Sequence, residues 1–124
     1  MKIEELEEWQ GILLFSDEDV YHKFTHAFAE KNDLDWRDVD DHMKVVREEF
    51  RELEQAIDSQ RIEYGLHNKP GPELEGEMVD LMFTVFLLAK MMRCNIREPF
   101  INKSLYNLEK SGKRNKEGKI IDDV

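Results

Sequence analysis

Apolar residues recur through most of the chain at helical rather than alternating spacing. Val20, Phe24, Ala27 and Phe28 keep a three-and-four rhythm that predicts a first helix from Asp17 to Glu30. Ser16 is its expected N-cap, and Asp17, Glu18 and Asp19 fill the first turn, where the helix dipole favours acids. Val45, Val46, Phe50, Leu53 and Ile57 form the stripe of a second helix, expected to open on Asp35 as its cap and to run to Tyr64, before Gly65. Pro70-Gly71-Pro72 is the one strong break. A third helix should open at or just after Pro72, since proline suits the first helical position, and end near Cys94. From Met78 to Met92 only Asp80, Thr84 and Lys90 are not apolar, the pattern of a helix buried on most of its faces. A fourth helix is expected from about Pro99 to just before Gly112, with Lys110, Lys113 and Arg114 at its dipole-negative end.

Two segments fall outside this scheme. Trp9, Ile12, Leu13, Leu14 and Phe15 are too apolar for a free tail and are expected to dock on the core. Residues 113–124 read as a polar tail, basic and then acidic. No alternating run exceeds a few residues, so the expected fold is all-α, a four-helix bundle-like arrangement.

Composition narrows the function. The 124 residues suit one domain. Lys and Arg number 18 against 28 Asp and Glu, a net charge of −10. A protein that neutralises nucleic-acid phosphates, or one held on anionic lipid, would carry the opposite balance. The most apolar stretch, Leu81 to Ala89, falls well short of the roughly 20 residues that span a membrane. Cys94 is the single cysteine, which fits a reducing compartment. The N-terminus carries four glutamates where a signal peptide would place basic residues and an apolar run, so a cytoplasmic location is expected.

Some of the acids sit where acids are costly. Wound at roughly 100° per residue, the second helix places Leu53, Val46 and Phe50 within about 100° on one side of Glu49, and Ala56 and Val45 within about 40° on the other. Glu49 therefore lies inside the apolar stripe, Glu52 on its edge, and Glu48 one step further round. On the third helix Asp80 lies in the apolar run, with Glu77 one turn earlier. A buried carboxylate must be paired, metal-bound or protonated. Packed antiparallel, the two helices would bring Glu49 and Glu52 against Glu77 and Asp80, a set of acids that a hard divalent cation resolves. Arg47, Arg51, Arg61 and Lys90 are the salt-bridge partners that would resolve it otherwise, and i, i+3 acid pairs also occur on solvated faces.

Glu48-Glu49-x-x-Glu52, followed after 24 residues by Glu77-x-x-Asp80, resembles the EExxE…ExxD signature of the MazG-like all-α nucleoside triphosphate pyrophosphatases. The apolar frames VVREEFRELEQAI and GEMVDLMFTVFLLAKMM are similar to that superfamily's second and third helices. Val20-x-x-x-Phe24-x-His26-x-Phe28 and Asn107-Leu-Glu-Lys110, with Gly112 and Gly118-Lys119 after it, resemble the branch related to phosphoribosyl-ATP pyrophosphohydrolase. The resemblance covers about residues 18–121. It departs from the family at Glu109, an acid where a small residue precedes the lysine.

What the resemblance implies is a magnesium-dependent hydrolase, with manganese as a substitute. It would cleave a nucleoside triphosphate, ribo or deoxy, between the α and β phosphates to the monophosphate and pyrophosphate. By motif position Glu49, Glu52, Glu77 and Asp80 would hold the metal. Glu49 and Glu48 would be the catalytic acids, Glu48 orienting or deprotonating the attacking water. Lys103, Asn107, Lys110 and Arg114 would contact phosphates, and His26 matches a position near the active site. The resemblance also implies a homodimer or homotetramer, which the apolar third helix supports. Residues 101–124 hold six Lys/Arg against four Asp/Glu, the only clearly basic part of the chain. For Lys110, Lys113 and Arg114, compensation of a helix dipole is the plainer reading.

Trp9, Phe28 and Trp36 are the aromatics considered for stacking on a nucleobase, though an aromatic at helical spacing more often serves as core. His22 and His26 are spaced i, i+4, but no Glu lies between them in the zinc-protease arrangement. Two other readings stand beside the hydrolase. One is a non-catalytic helical interaction protein whose acids are salt-bridged. The other is an enzyme acting on phosphoribosyl-ATP.

Overall fold

The computed structural model describes residues 17–110 and 112–121, with side chains from Tyr21 onward. The expected cap Ser16 and the apolar residues Trp9 to Phe15 lie outside the described residues. Four helices are present among them: α1 (Asp17–Lys31), α2 (Val39–Glu63), α3 (Leu74–Met91) and α4 (Arg97–Leu108). No strand ladder occurs among the described residues, only an isolated antiparallel bridge between Arg114 and Ile120. Tyr21–Cys94 and the chain from Asn95 onward form separate compact units.

Asp35 is a cap, as its side chain suggests, but of a short 3-10 turn, Trp36–Asp38, that precedes α2. Its carboxylate accepts from the Arg37 amide at 2.9 Å, and the Asp38 carboxylate accepts from the Asp35 amide at 3.0 Å. The two acids thus satisfy the Arg37 and Asp35 amides before the α-helix begins. α2 ends where Gly65 takes φ +81°, the left-handed conformation open to glycine, and its amide reaches the Gln60 carbonyl at 2.8 Å.

Gln60 organises the connection to α3. Its buried side-chain amide donates to the Gly65 carbonyl at 3.0 Å and the Lys69 carbonyl at 3.3 Å, and its oxygen accepts from the Gly71 amide at 2.6 Å. Gly71 is required there, because a Cβ would stand 2.7 Å from Tyr64 Cε2. α3 begins at Leu74, two residues after the expected Pro72, and ends at Met91, three before Cys94. Arg93, at φ +56°, reverses the chain, and the Cys94 amide closes the end on the Ala89 carbonyl at 2.8 Å. α4 starts two residues ahead of Pro99, which sits in the first turn where no amide is needed.

The core gathers at the C-terminal half of α3. Ala29, Leu87 and Met91 are buried there, with Leu34, Val39 and Phe83 packed around them. The inward face of α1 differs from the expected stripe. Thr25 and Ala29 are buried, while Phe24 is 64% exposed and Ala27 is exposed. Tyr21 and His22 pack on Phe86 of α3 at centroid distances of 5.5 and 5.1 Å. α3 is not buried on most faces either. Met78, Val79, Met82 and Val85 are all more than two-fifths exposed.

The segment after α4 is a compact turn rather than a simple tail. The Ile121 amide donates to the Lys113 carbonyl at 3.0 Å, and the Asn115 amide to the Lys119 carbonyl at 2.8 Å. Gly118 takes φ +83° at its tip.

Candidate metal centre

α2 and α3 run antiparallel, and one polar contact marks their register. His42 Nε2 lies 2.7 Å from the Thr84 carbonyl oxygen, both residues being buried. The carbonyl can only accept, so Nε2 carries the proton. Seven residues on along α2 and seven back along α3, two turns in each helix, stand Glu49 and Glu77.

There the acids converge. One carboxylate oxygen each from Glu49, Glu52 and Glu77 lie within 4.8 Å of one another. All three residues are half-buried. Glu49 Oε2 and Glu77 Oε2 are inaccessible to water and meet no hydrogen-bond donor. Desolvation pushes the Glu49 carboxyl up from its usual 4.5 to about 7, helped by the adjoining Glu52 and by the charges of Asp80 and Glu77. Glu77 is raised for the same reason, desolvation first, then the charges of Glu52 and Asp80. Every neighbour acting on Glu49 is an acid.

The salt-bridge alternative finds no support. Arg61 is turned to Asp58 at 3.4 Å, and no ion pair among the described residues reaches Glu49, Glu52 or Glu77. Three converging carboxylates with two orphaned oxygens have the donor chemistry of a hard divalent cation. The alternative is to hold protons.

The other expected site residues are distributed less tightly. Asp80 is exposed rather than embedded. Its charge still raises Glu49 and Glu77, so it stands beside the triad without belonging to the 4.8 Å group. Glu48 is exposed on the flank of α2. His26 is exposed and pairs with Glu30 at 2.9 Å. Trp36 is exposed on the 3-10 turn, while Phe28 sets its ring edge-on to Phe83 at 5.5 Å.

In the C-terminal unit, Asn107, Lys110 and Arg114 come together with Lys119 around a groove of about 470 Å³. Lys110 Nζ rests 5.0 Å above the Tyr106 ring, and Arg114 donates to the Gly118 carbonyl at 2.6 Å. Lys103 is exposed on α4 and does not line this groove. Lys119 joins the set through the turn at Gly118, which the Gly-Lys pair signalled without assigning it a role.

A feature the sequence did not disclose is an apolar cavity of about 390 Å³ beside the core. Phe28, Leu34, Val45, Phe83 and Met91 line it, with His42 in its wall and Asp38 and Asp41 among its lining. The clue lay in the helical wheel: His42 falls within about 20° of Glu49, two turns away on the same face. No family model, curated protein or solved structure matches the chain.

Proposed function

We propose that the chain is a magnesium-dependent nucleoside triphosphate pyrophosphohydrolase of the MazG-like all-α type, working in the cytoplasm as a homo-oligomer. It would release the nucleoside monophosphate and pyrophosphate. The observation that carries this reading is the convergence of Glu49, Glu52 and Glu77 from two helices, with two buried oxygens that no donor satisfies. Residue types and setting both fit magnesium, with manganese as substitute, and Asp80, whose charge acts on Glu49 and Glu77, would join from the next turn. When bound, the metal supplies neutralisation of phosphate charge and a water of lowered pKa.

The chain's own groups do the rest. Glu49, Glu52 and Glu77 hold the cation and fix its place on two rigid helices. Glu48, on the open flank of the same helix, orients the attacking water and takes its proton. The water oxygen bonds to the α-phosphorus while the α–β bridging bond breaks, and pyrophosphate leaves with the bond's electrons. Asn107, Lys110, Arg114 and Lys119 form a basic groove suited to phosphate oxygens, to which Lys103 adds charge. The apolar cavity beside Phe28 offers a dry wall for a base, with His26 and Trp36 as further contacts.

The interaction-protein reading expects these acids to be salt-bridged, and the missing ion pairs weigh against it. The test is a screen of the four NTPs and four dNTPs, with oxidised and deaminated forms and phosphoribosyl-ATP. It is read by chromatography, with Glu49→Gln and Asp80→Asn as controls. Monophosphate and pyrophosphate that vanish in both variants support the proposal. Turnover of phosphoribosyl-ATP alone reassigns the substrate, and no turnover by the folded protein rejects the enzyme.

A further inference from the structure

We propose that the apolar cavity beside His42 selects nucleobases that carry an exocyclic amino group opposite the sugar, adenine and cytosine, and rejects their deaminated, carbonyl-bearing counterparts. The kind of ligand rests on the nucleotide reading above. The choice among bases comes from the lining itself. The cavity holds about 390 Å³, room for a flat ring, and Phe28 and Phe83 give it aromatic surface.

Its polar groups are few and of one kind. Asp38 and Asp41 line it with carboxylates, which only accept hydrogen bonds when ionised. His42 Nε2–H donates to the Thr84 carbonyl, so what the neutral ring has left for a ligand is Nδ1, an acceptor. The Thr84 hydroxyl donates to the Leu81 carbonyl at 2.8 Å and keeps only its lone pairs. No Lys, Arg, Asn, Gln or Ser side chain lines the cavity among the described residues. A ring entering it therefore meets side-chain acceptors and no side-chain donor. Adenine and cytosine bring an amino group with two hydrogens to give. Hypoxanthine and uracil hold a carbonyl oxygen in the same place, and that oxygen would face lone pairs and negative charge without a donor between them.

The place along α2 fits as well. His42 and Glu49 share one face of the helix, seven residues or about 10 Å apart at the helical rise, comparable to the reach from a base to the outer phosphates of its nucleotide. None of the four polar lining residues belongs to the acid cluster, so they bear on which base is taken rather than on turnover.

Nuclear magnetic resonance titration of the full chain with adenosine, inosine, cytidine and uridine tests the pocket without turnover. Adenosine and cytidine should shift the Phe28, Phe83 and His42 signals saturably, and inosine and uridine should bind at least about tenfold more weakly. Asp41 is exposed, so Asp41→Asn should fold, and by adding a donor it should shrink the preference severalfold. Equal binding within each amino and carbonyl pair, no binding of any nucleoside, shifts confined to other residues, or an unchanged preference in Asp41→Asn would overturn the proposal. Hydrolysis is scored separately. Turnover without amino-selective binding removes this pocket and leaves the enzyme, whereas amino-selective binding without turnover keeps the pocket and removes the hydrolase.

Discussion

His42 Nε2 holds the Thr84 carbonyl oxygen at 2.7 Å across the α2–α3 pair, two helical turns from the point where Glu49 meets Glu77. A buried hydrogen bond marks the register, and the register brings together carboxylates that repel. The stable part of the hairpin thereby holds its unstable part in place.

Replacing His42 with Ala removes that contact and leaves a gap beside the apolar cavity. Stability is expected to fall by about 1–3 kcal/mol, the usual range for a buried hydrogen-bond partner lost. Urea unfolding measures it. Metal affinity should fall too, because the Glu49–Glu77 register loosens.

The loop makes a parallel prediction. Gln60→Ala strips the Gly71 amide and two carbonyls of their partner and should cost about 1–3 kcal/mol in the same assay. Gly71→Ala should also destabilise, because its Cβ meets the Tyr64 ring. Pairing it with Tyr64→Ala should recover part of the loss.

Glu49→Gln should separate function from stability. In metal-free buffer it removes a charge that only acids surround, so the melting temperature should rise. Hydrolysis should fall by about a hundredfold or more, the scale set by losing one well-placed electrostatic group. A variant that lost both stability and activity would mark Glu49 as structural.

The raised Glu49 carboxyl gives a pH signature. Its folded value, about 7, exceeds the usual 4.5, and Glu77 is shifted the same way. The folded chain therefore binds protons more tightly than the unfolded one. That stabilisation is complete below about 4.5 and is lost as pH rises through about 7. In chelator, the melting temperature of wild type relative to Glu49→Gln should fall across this window. The increment from magnesium should grow over the same range, since the metal displaces the proton. Paired melts from pH 5 to pH 8 check both slopes.

Much of the fold could be read from spacing, because four helices with three-and-four apolar rhythms leave little choice of class. Glu49 was legible as well, since an acid inside an apolar stripe needs a reason, and Glu77 was singled out only by lying one turn before Asp80. The setting of Asp80 was not legible, because an apolar run does not say which of its turns are covered, and Asp80 stands exposed. The α1 face was misplaced for a related cause. Phe24 marks an apolar side by spacing yet is 64% exposed, while Thr25 and Ala29 are buried and Phe28 packs on Phe83. Nothing in the spacing singles out His42, and only its partner on α3 reveals its role. The turn closed by Arg114 and Ile120 had no alternating run to announce it. It is built by the Asn115 side chain, which accepts from the Glu117 and Lys119 amides, and by Gly118.

The central claim is that Glu49, Glu52 and Glu77 form one divalent-cation site. Titrating the chain with Mn²⁺ and following the free-ion signal by electron paramagnetic resonance tests it directly. Wild type is expected to take up Mn²⁺ saturably and release it to excess Mg²⁺, and the folded Glu49→Gln/Glu52→Gln/Glu77→Gln protein to take up none. Equal uptake by both proteins, or none by wild type, would contradict the site.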